Sequence, residues 1–145
     1  MHIYGVGRVG SPANIIVSHD GGITWTSNSM NNDCKMLFDI KMFNKNNGFV
    51  CAATDDDLEK SNALILKTSD GGKTWKKVYQ SNRPFECTWK VSFPTEKVGY
   101  VTIQSYNPDP NVKQQHVAKT SDGGETWKEI NLVEDAGARE FGIGF

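Results

Sequence analysis

The sequence predicts an all-β chain built from a repeated four-stranded unit, and two observations carry that expectation. An eight-residue stretch occurs three times, as SHDGGITW (Ser18–Trp25), TSDGGKTW (Thr68–Trp75) and TSDGGETW (Thr120–Trp127), which sets the tryptophans 50 and 52 residues apart. Between the copies lie short apolar runs with partial alternation, bounded by clusters of Asn, Asp, Gly and Pro. No segment shows a convincing helical period.

The middle unit is the clearest. LFDIKMF (Leu37–Phe43) is a first strand, NKNNG a turn, and GFVCAAT (Gly48–Thr54) a second strand. The polar loop DDDLEKSN leads to ALILKTS, the Asp-Gly-Gly turn and TWKKVYQ. The third unit repeats the order with TWKVSFP, YVTIQSY, the loop NPDPNVKQQ, HVAKTS and TWKEINL. The first unit starts one strand late: HIYGVG corresponds to strand two, NIIVS to strand three and TWTSNS to strand four. After the third unit, REFGIGF (Arg139–Phe145) corresponds to a strand one, giving twelve strands in all.

The octet has a local physical reading. The carboxylate of Asp20, Asp70 or Asp122 can accept hydrogen bonds from the backbone N–H groups that follow it. The glycine pairs, including Gly22, Gly72 and Gly124, permit backbone angles that a Cβ penalises. The hydroxyls of Ser18, Thr68 and Thr120, and those of Thr24, Thr74 and Thr126, can add local bonds. Trp25, Trp75 and Trp127 give the returning strand a large apolar group to bury. Each octet is therefore expected to be a structural clasp between strands three and four.

Composition excludes several function classes. With 145 residues the chain is one domain's worth, and a net charge of −1 supplies no general attraction to nucleic acid or an anionic membrane. No apolar run approaches the ~18 residues of a membrane span, and HIYGVG after Met1 lacks the form of a signal peptide. The three cysteines, Cys34, Cys51 and Cys87, have no metal-knuckle or disulfide-framework spacing. They are expected to be small buried strand residues. Histidines 2, 19 and 116 show no pairing that suggests zinc, and the acidic run Asp55–Asp57 with Glu59 lacks the spacing of a calcium loop. No metal and no cofactor are expected.

Taken together, S/T-x-D-x-G-x-T-W every 50 or so residues resembles the Asp-box, or BNR, repeat of β-propellers. The fuller pattern is most similar to the photosystem II assembly factor (Ycf48-like) family, over essentially the whole chain. The resemblance implies a partial propeller of three blades: residues 1–31 completed by 139–145, residues 34–81, and residues 85–133. Relatives of that kind are often exported, and the compartment of this chain stays open. Because propellers usually close with four to eight blades, two resolutions are open: a piece of a longer propeller, or the favoured one, a six-bladed ring formed by two chains, each C-terminal strand completing the other's first blade.

Antiparallel order places the three clasps on one face. The long loops and blade-to-blade linkers lie on the other, together with all three arginines, Arg8, Arg83 and Arg139. Arginine forks suit carboxylate or phosphate groups, so these three mark the candidate binding face, for a protein or an anionic ligand. The expected function is a non-catalytic binding scaffold acting as a homodimer. The alternative is a fragment or relative of a sialidase-like glycoside hydrolase. In such enzymes an arginine cluster grips the substrate carboxylate beside an acidic residue and a tyrosine–glutamate nucleophile pair. Tyr106 and Glu86 lie on plausible segments for that pair, but nothing in the sequence joins them.

Overall fold

The computed structural model describes residues 1–7, 12–112, 115–130 and 142–145. These residues form eleven strands in three antiparallel sheets and contain no helix. The first sheet holds β1 (Ile3–Gly7), β2 (Asn14–Ser18) and β3 (Thr26–Ser29). The second holds β4 (Met36–Met42), β5 (Gly48–Ala53), β6 (Ala63–Thr68) and β7 (Lys76–Gln80). The third holds β8 (Glu86–Ser92), β9 (Gly99–Ser105), β10 (Gln115–Thr120) and β11 (Lys128–Ile130). Each sheet is a meander of neighbouring strands, the blade of a β-propeller, and the first blade lacks its first strand as the repeat alignment expects. No helix among the described residues is long and apolar enough to cross a membrane.

The twelfth expected strand is described only at its end. Of the strand at 139–145, residues 139–141 lie outside the described residues, and Gly142–Phe145 has no strand pairing within the single chain. A strand exists by exchanging ladder hydrogen bonds with a neighbouring edge. The edge this segment was expected to complete, β1, belongs to the first sheet and has β2 as its one strand neighbour.

The pairing of the second and third strand positions has the same register in all three blades. Ile3 pairs with Ser18, Gly48 with Thr68 and Gly99 with Thr120, so Tyr4, Phe49 and Tyr100 occupy one position of three blades. Alternation along β5 and β6 then decides which blade each side chain faces. Val50, Ala52, Leu64 and Leu66 join Ala13, Ile15, Val17, Met30, Cys34 and Leu37 in the core between the first two blades. Phe49, Cys51, Ala63 and Ile65 join Val91, Val101, Ile103 and Ala118 between the second and third. A strand covered on both faces needs apolar residues at every position, which is why GFVCAA of β5 is buried throughout.

The inner strands are bulged at matching places, between Leu37 and Asp39 in β4 and between Thr88 and Val91 in β8. A bulge leaves backbone groups outside the ladder, and the neighbouring blade takes them up. Asp39 Oδ2 accepts the Val91 N–H at 3.0 Å, and its Oδ1 accepts Lys90 Nζ at 3.2 Å. The buried Thr88 hydroxyl lies 2.8 Å from the Ala52 carbonyl and 3.1 Å from that of Leu64. Blade boundaries are thus joined by polar contacts as well as by apolar packing.

Candidate functional site

The three clasps share one hydrogen-bond pattern. Ser18, Thr68 and Thr120 donate their hydroxyls to Oδ1 of Asp20, Asp70 and Asp122 at 2.9, 2.9 and 2.8 Å. The same hydroxyls accept the N–H groups of Gly22, Gly72 and Gly124. Oδ1 also accepts the N–H groups of Thr24, Thr74 and Thr126 at 2.9, 3.0 and 3.0 Å. The hydroxyls of these threonines donate to Oδ2 at 2.6 Å in every copy. The bond from the threonine hydroxyl, reinforced by that threonine's N–H, holds Asp70 at about 2, and lowers Asp20 and Asp122 as well. All six glycines of the clasps have positive φ, from 77° to 95°.

The tryptophans are not equivalent in their surroundings. Trp75 packs on the core between the first two blades and Trp127 on the core between the second and third. The expectation that Trp25 is buried in the same way is not met: it is 45% exposed, beside Ile23 at 83%. Each clasp tryptophan packs toward the preceding blade, and no blade precedes the first clasp among the described residues. Trp25 and Trp75 donate Nε1–H to the carbonyls of Gly22 and Gly72 at 3.1 and 3.2 Å. The buried Nε1 of Trp127 has no such acceptor.

Of the three arginines expected on the opposite, loop-bearing face, Arg8 and Arg139 lie outside the described residues. Arg83 is described, and its guanidinium is engaged inside the molecule. Its Nε donates to Glu86 Oε1 at 2.5 Å, and its Nη2 to Glu86 Oε2 at 3.1 Å and Glu129 Oε1 at 2.9 Å. Tyr79 donates its hydroxyl to the same Glu129 oxygen. His116 completes the group, with Nδ1 3.4 Å from Glu129 Oε2 and Nε2 3.9 Å from Glu86 Oε1. Five polar side chains from β7, the following linker, β8, β10 and β11 therefore meet above the apolar boundary of the second and third blades.

The electrostatics of this cluster are those of a closed circuit. Partial burial opposes the charge on Arg83, but hydrogen bonds to Glu86 and Glu129 outweigh it and raise the guanidinium above its ordinary value. Burial likewise opposes ionisation of Glu129, and the bonds from Arg83 and Tyr79 lower it nonetheless. Burial first, then the bond to Glu129, push the Tyr79 hydroxyl above the ordinary tyrosine range. Next to the cluster, Phe85 adopts a left-handed φ of 64°, at a cost of about 1 kcal/mol for a side-chain-bearing residue. Its carbonyl accepts the Tyr106 N–H at 2.7 Å.

The other sequence candidates resolve locally. Asp55 Oδ1 accepts the Asp57 N–H at 3.0 Å and Asp57 Oδ1 the Glu59 N–H at 3.1 Å, so these carboxylates brace their own loop. Trp89 donates Nε1–H to the Tyr106 hydroxyl at 3.1 Å, and Glu86 is engaged by Arg83. The Nδ1 atoms of His2 and His19 stand 2.7 Å apart on the clasp face. Among the described residues no three His, Cys, Asp or Glu side chains are placed to hold a metal ion.

Comparison with known proteins bears on this arrangement of blades and clasps. The family model Sortilin-Vps10, described as "Sortilin, neurotensin receptor 3", matches residues 13–141. The chain belongs to the Sortilin-Vps10 family. Among solved structures it is similar to "YCF48 bound to D1 peptide", with a TM-score of 0.56 and 17% identity over 87% of this chain. The likeness covers 36% of that longer chain, and at this identity it is one of fold. No curated protein matches the chain.

Within this Sortilin-Vps10 chain, sequence reasoning missed Tyr79, His116 and Glu129 as a group. A signal was present for one of them. Register equates His116 with Leu64 of the second blade and Asn14 of the first, so an ionisable residue stands where the middle repeat is apolar. The sequence held no comparable sign that Tyr79 and Glu129 meet, because they come from outer strands of different blades.

Proposed function

We propose that the chain is a non-catalytic propeller module that holds an extended segment of another protein on its loop face, with a second copy completing the ring. The observation that carries the binding role is how the polar groups are spent. On the clasp face each aspartate is consumed by its own turn, whereas the opposite face presents long loops that are themselves braced. Asn62 Nδ2 donates to the Arg83 carbonyl at 2.7 Å, and Asp109 Oδ1 accepts the Asn111 N–H at 2.9 Å. A loop held in place before binding loses less freedom when a ligand arrives. The neighbour of like fold was solved with a peptide, and the family carries the name of a receptor; both favour a peptide ligand here.

Arg83 enters this reading as the brace of the linker between β7 and β8. An anionic ligand drawn to it has to compete with two carboxylates already in place. Peptides selected by phage display on the immobilised chain test the proposal. They are expected to lose binding at least tenfold when residues 55–60 are replaced by a short Asn-Gly turn, and to keep it in Lys73→Glu on the clasp face. Equal binding to both variants, or selection of no peptide, overturns it.

One observation favours the glycosidase reading: Tyr79 and Glu129 form a tyrosine–glutamate pair beside an arginine. Against it, the Tyr79 proton is held more tightly than usual, and Glu86 is 1% exposed. Turnover of a fluorogenic sialoside that falls in Tyr79→Phe would decide for that second reading.

A further inference from the structure

Where the third clasp meets the second blade, several contacts gather around the Phe49 ring. Lys67 Nζ stands 5.7 Å from the centroid of Phe49. Across the boundary it donates to the Gly123 carbonyl at 2.9 Å and to Glu125 Oε1 at 2.5 Å. Phe93, at the end of the next blade's first strand, stacks on Phe49 with centroids 4.9 Å apart and planes at 20°. Gly124 lies so close above the ring that a Cβ there would meet Phe49 Cε1 at 2.4 Å.

The outward face of the third blade carries half of this assembly. Tyr100 stands in the place of Phe49 and Lys119 in the place of Lys67, with Nζ 5.5 Å from the ring centroid. Phe145 lies on Tyr100 at 5.2 Å and 37°. Aligning REFGIGF with LFDIKMF makes Phe145 the counterpart of Phe43, whereas the strand register makes Phe93 the counterpart of Met42. By its contact alone, Phe145 lies against Tyr100 much as Phe93 lies against Phe49. Among the described residues no carbonyl or carboxylate receives the Lys119 ammonium. A depression of about 360 Å³ opens beside it, lined by Lys119, Ser121, Asp122, Thr126, Lys128 and Ile130.

The missing half is at the other end. The first clasp presents Gly21, Gly22, Ile23 and Trp25 where the third presents Gly123, Gly124, Glu125 and Trp127. Ile16, Ile23 and Trp25 are exposed at 42, 83 and 45%, whereas Ala118, the counterpart of Ile16, is fully buried. The inner edge of β1 has no strand beside it in its sheet.

We infer that Tyr100 and Lys119 form the seat for the first clasp of a second copy, with Gly22 over the Tyr100 ring and the Gly21 carbonyl on Lys119. The inner edge of the incoming β1 pairs with Gly142–Phe145. The inference rests on the ring-completing second copy proposed above and specifies its junction, which occurs twice in the closed pair. The clasp of the third blade, seated on Phe49 and Lys67, is the pattern for both.

Sedimentation equilibrium of the purified chain tests it. Lys119→Glu and Tyr100→Ala are each expected to weaken self-association at least tenfold. Ile23→Glu, which supplies the carboxylate that Glu125 gives to Lys67, is expected to tighten it severalfold, and Ile23→Glu with Lys119→Glu to cancel that gain. Circular dichroism and thermal unfolding show whether each variant keeps its fold, and Ile23 is exposed enough that its replacement leaves the blade intact. A dimer indifferent to all these changes overturns this junction and leaves the second-copy reading standing. A wild-type chain that is monomeric at every concentration overturns both.

Discussion

Arg83 grips Glu86 through two hydrogen bonds, Nε to Oε1 at 2.5 Å and Nη2 to Oε2 at 3.1 Å, and Glu86 is only 1% exposed. The pair fixes the linker by which one blade hands over to the next. Truncating the arginine leaves a buried carboxylate without its main partner. Arg83→Ala is therefore expected to cost about 3 kcal/mol in urea unfolding. Arg83→Lys is expected to recover only part of this, because an ammonium cannot form the planar double contact. A loss below about 0.5 kcal/mol, the range of ordinary surface changes, would show that the pair does not hold the blades together.

Two glycines at one position of different clasps separate backbone strain from packing. Gly22 and Gly124 both have positive φ, 95° and 80°. A Cβ on Gly22 would find its nearest neighbour at 3.6 Å, whereas on Gly124 it would strike Phe49 at 2.4 Å. Gly22→Ala is expected to cost about 1–2 kcal/mol for the left-handed conformation. Gly124→Ala should cost at least about 1 kcal/mol more for overpacking. Chemical denaturation of the two variants in the Lys119→Glu background, at a concentration low enough to keep chains apart so that no second copy is seated on Gly22, checks the order, and equal losses would contradict it.

The clasps also predict an acid transition. Asp70 is held at about 2, below its ordinary 3.8, and Asp20 and Asp122 are lowered too. A carboxylate whose folded value is depressed contributes stability that is complete above the unfolded value and is lost as pH falls through the folded one. The clasp contribution should therefore be flat above about pH 5 and disappear between about pH 4 and pH 2. In Asp70→Asn the fall in thermal midpoint over that window should be shallower than in the wild type. An identical fall would mean that the clasp carboxylate is no source of the acid sensitivity.

Cys34, Cys51 and Cys87 are all buried. Burial raises the thiols of Cys34 and Cys87 to about 12 and that of Cys51 well above the ordinary range. Because the thiolate is the reactive form, an aromatic disulfide reagent at neutral pH should label none of them in the folded chain. In denaturant it should label all three. Rapid labelling of a folded thiol would place that cysteine at the surface.

Repeats made most of the fold readable in advance. The octets fixed where strands three and four turn back, and the alignment of units gave the order of strands within each sheet and the missing first strand. What the alignment could not supply were contacts between residues far apart in the chain and of no repeating type. Arg83 was legible as a charge on the loop face, but Glu129, which helps to occupy it, is 46 residues away. Trp25 looked identical to Trp75 and Trp127 because its octet is identical in kind. Its exposure follows from its place in the first sheet, before which no blade stands among the described residues, a property of the array and not of the motif. Lys119 over Tyr100 repeats Lys67 over Phe49, and that likeness emerges only once the strand register is in view.

The measurement that bears most directly on this account is the solution mass of the purified chain by light scattering, across a range of concentrations. A ring completed by a second copy predicts twice the chain mass, returning to a single chain when Gly142–Phe145 is deleted. A single-chain mass at every concentration would contradict it, as would a dimer that survives the deletion unchanged.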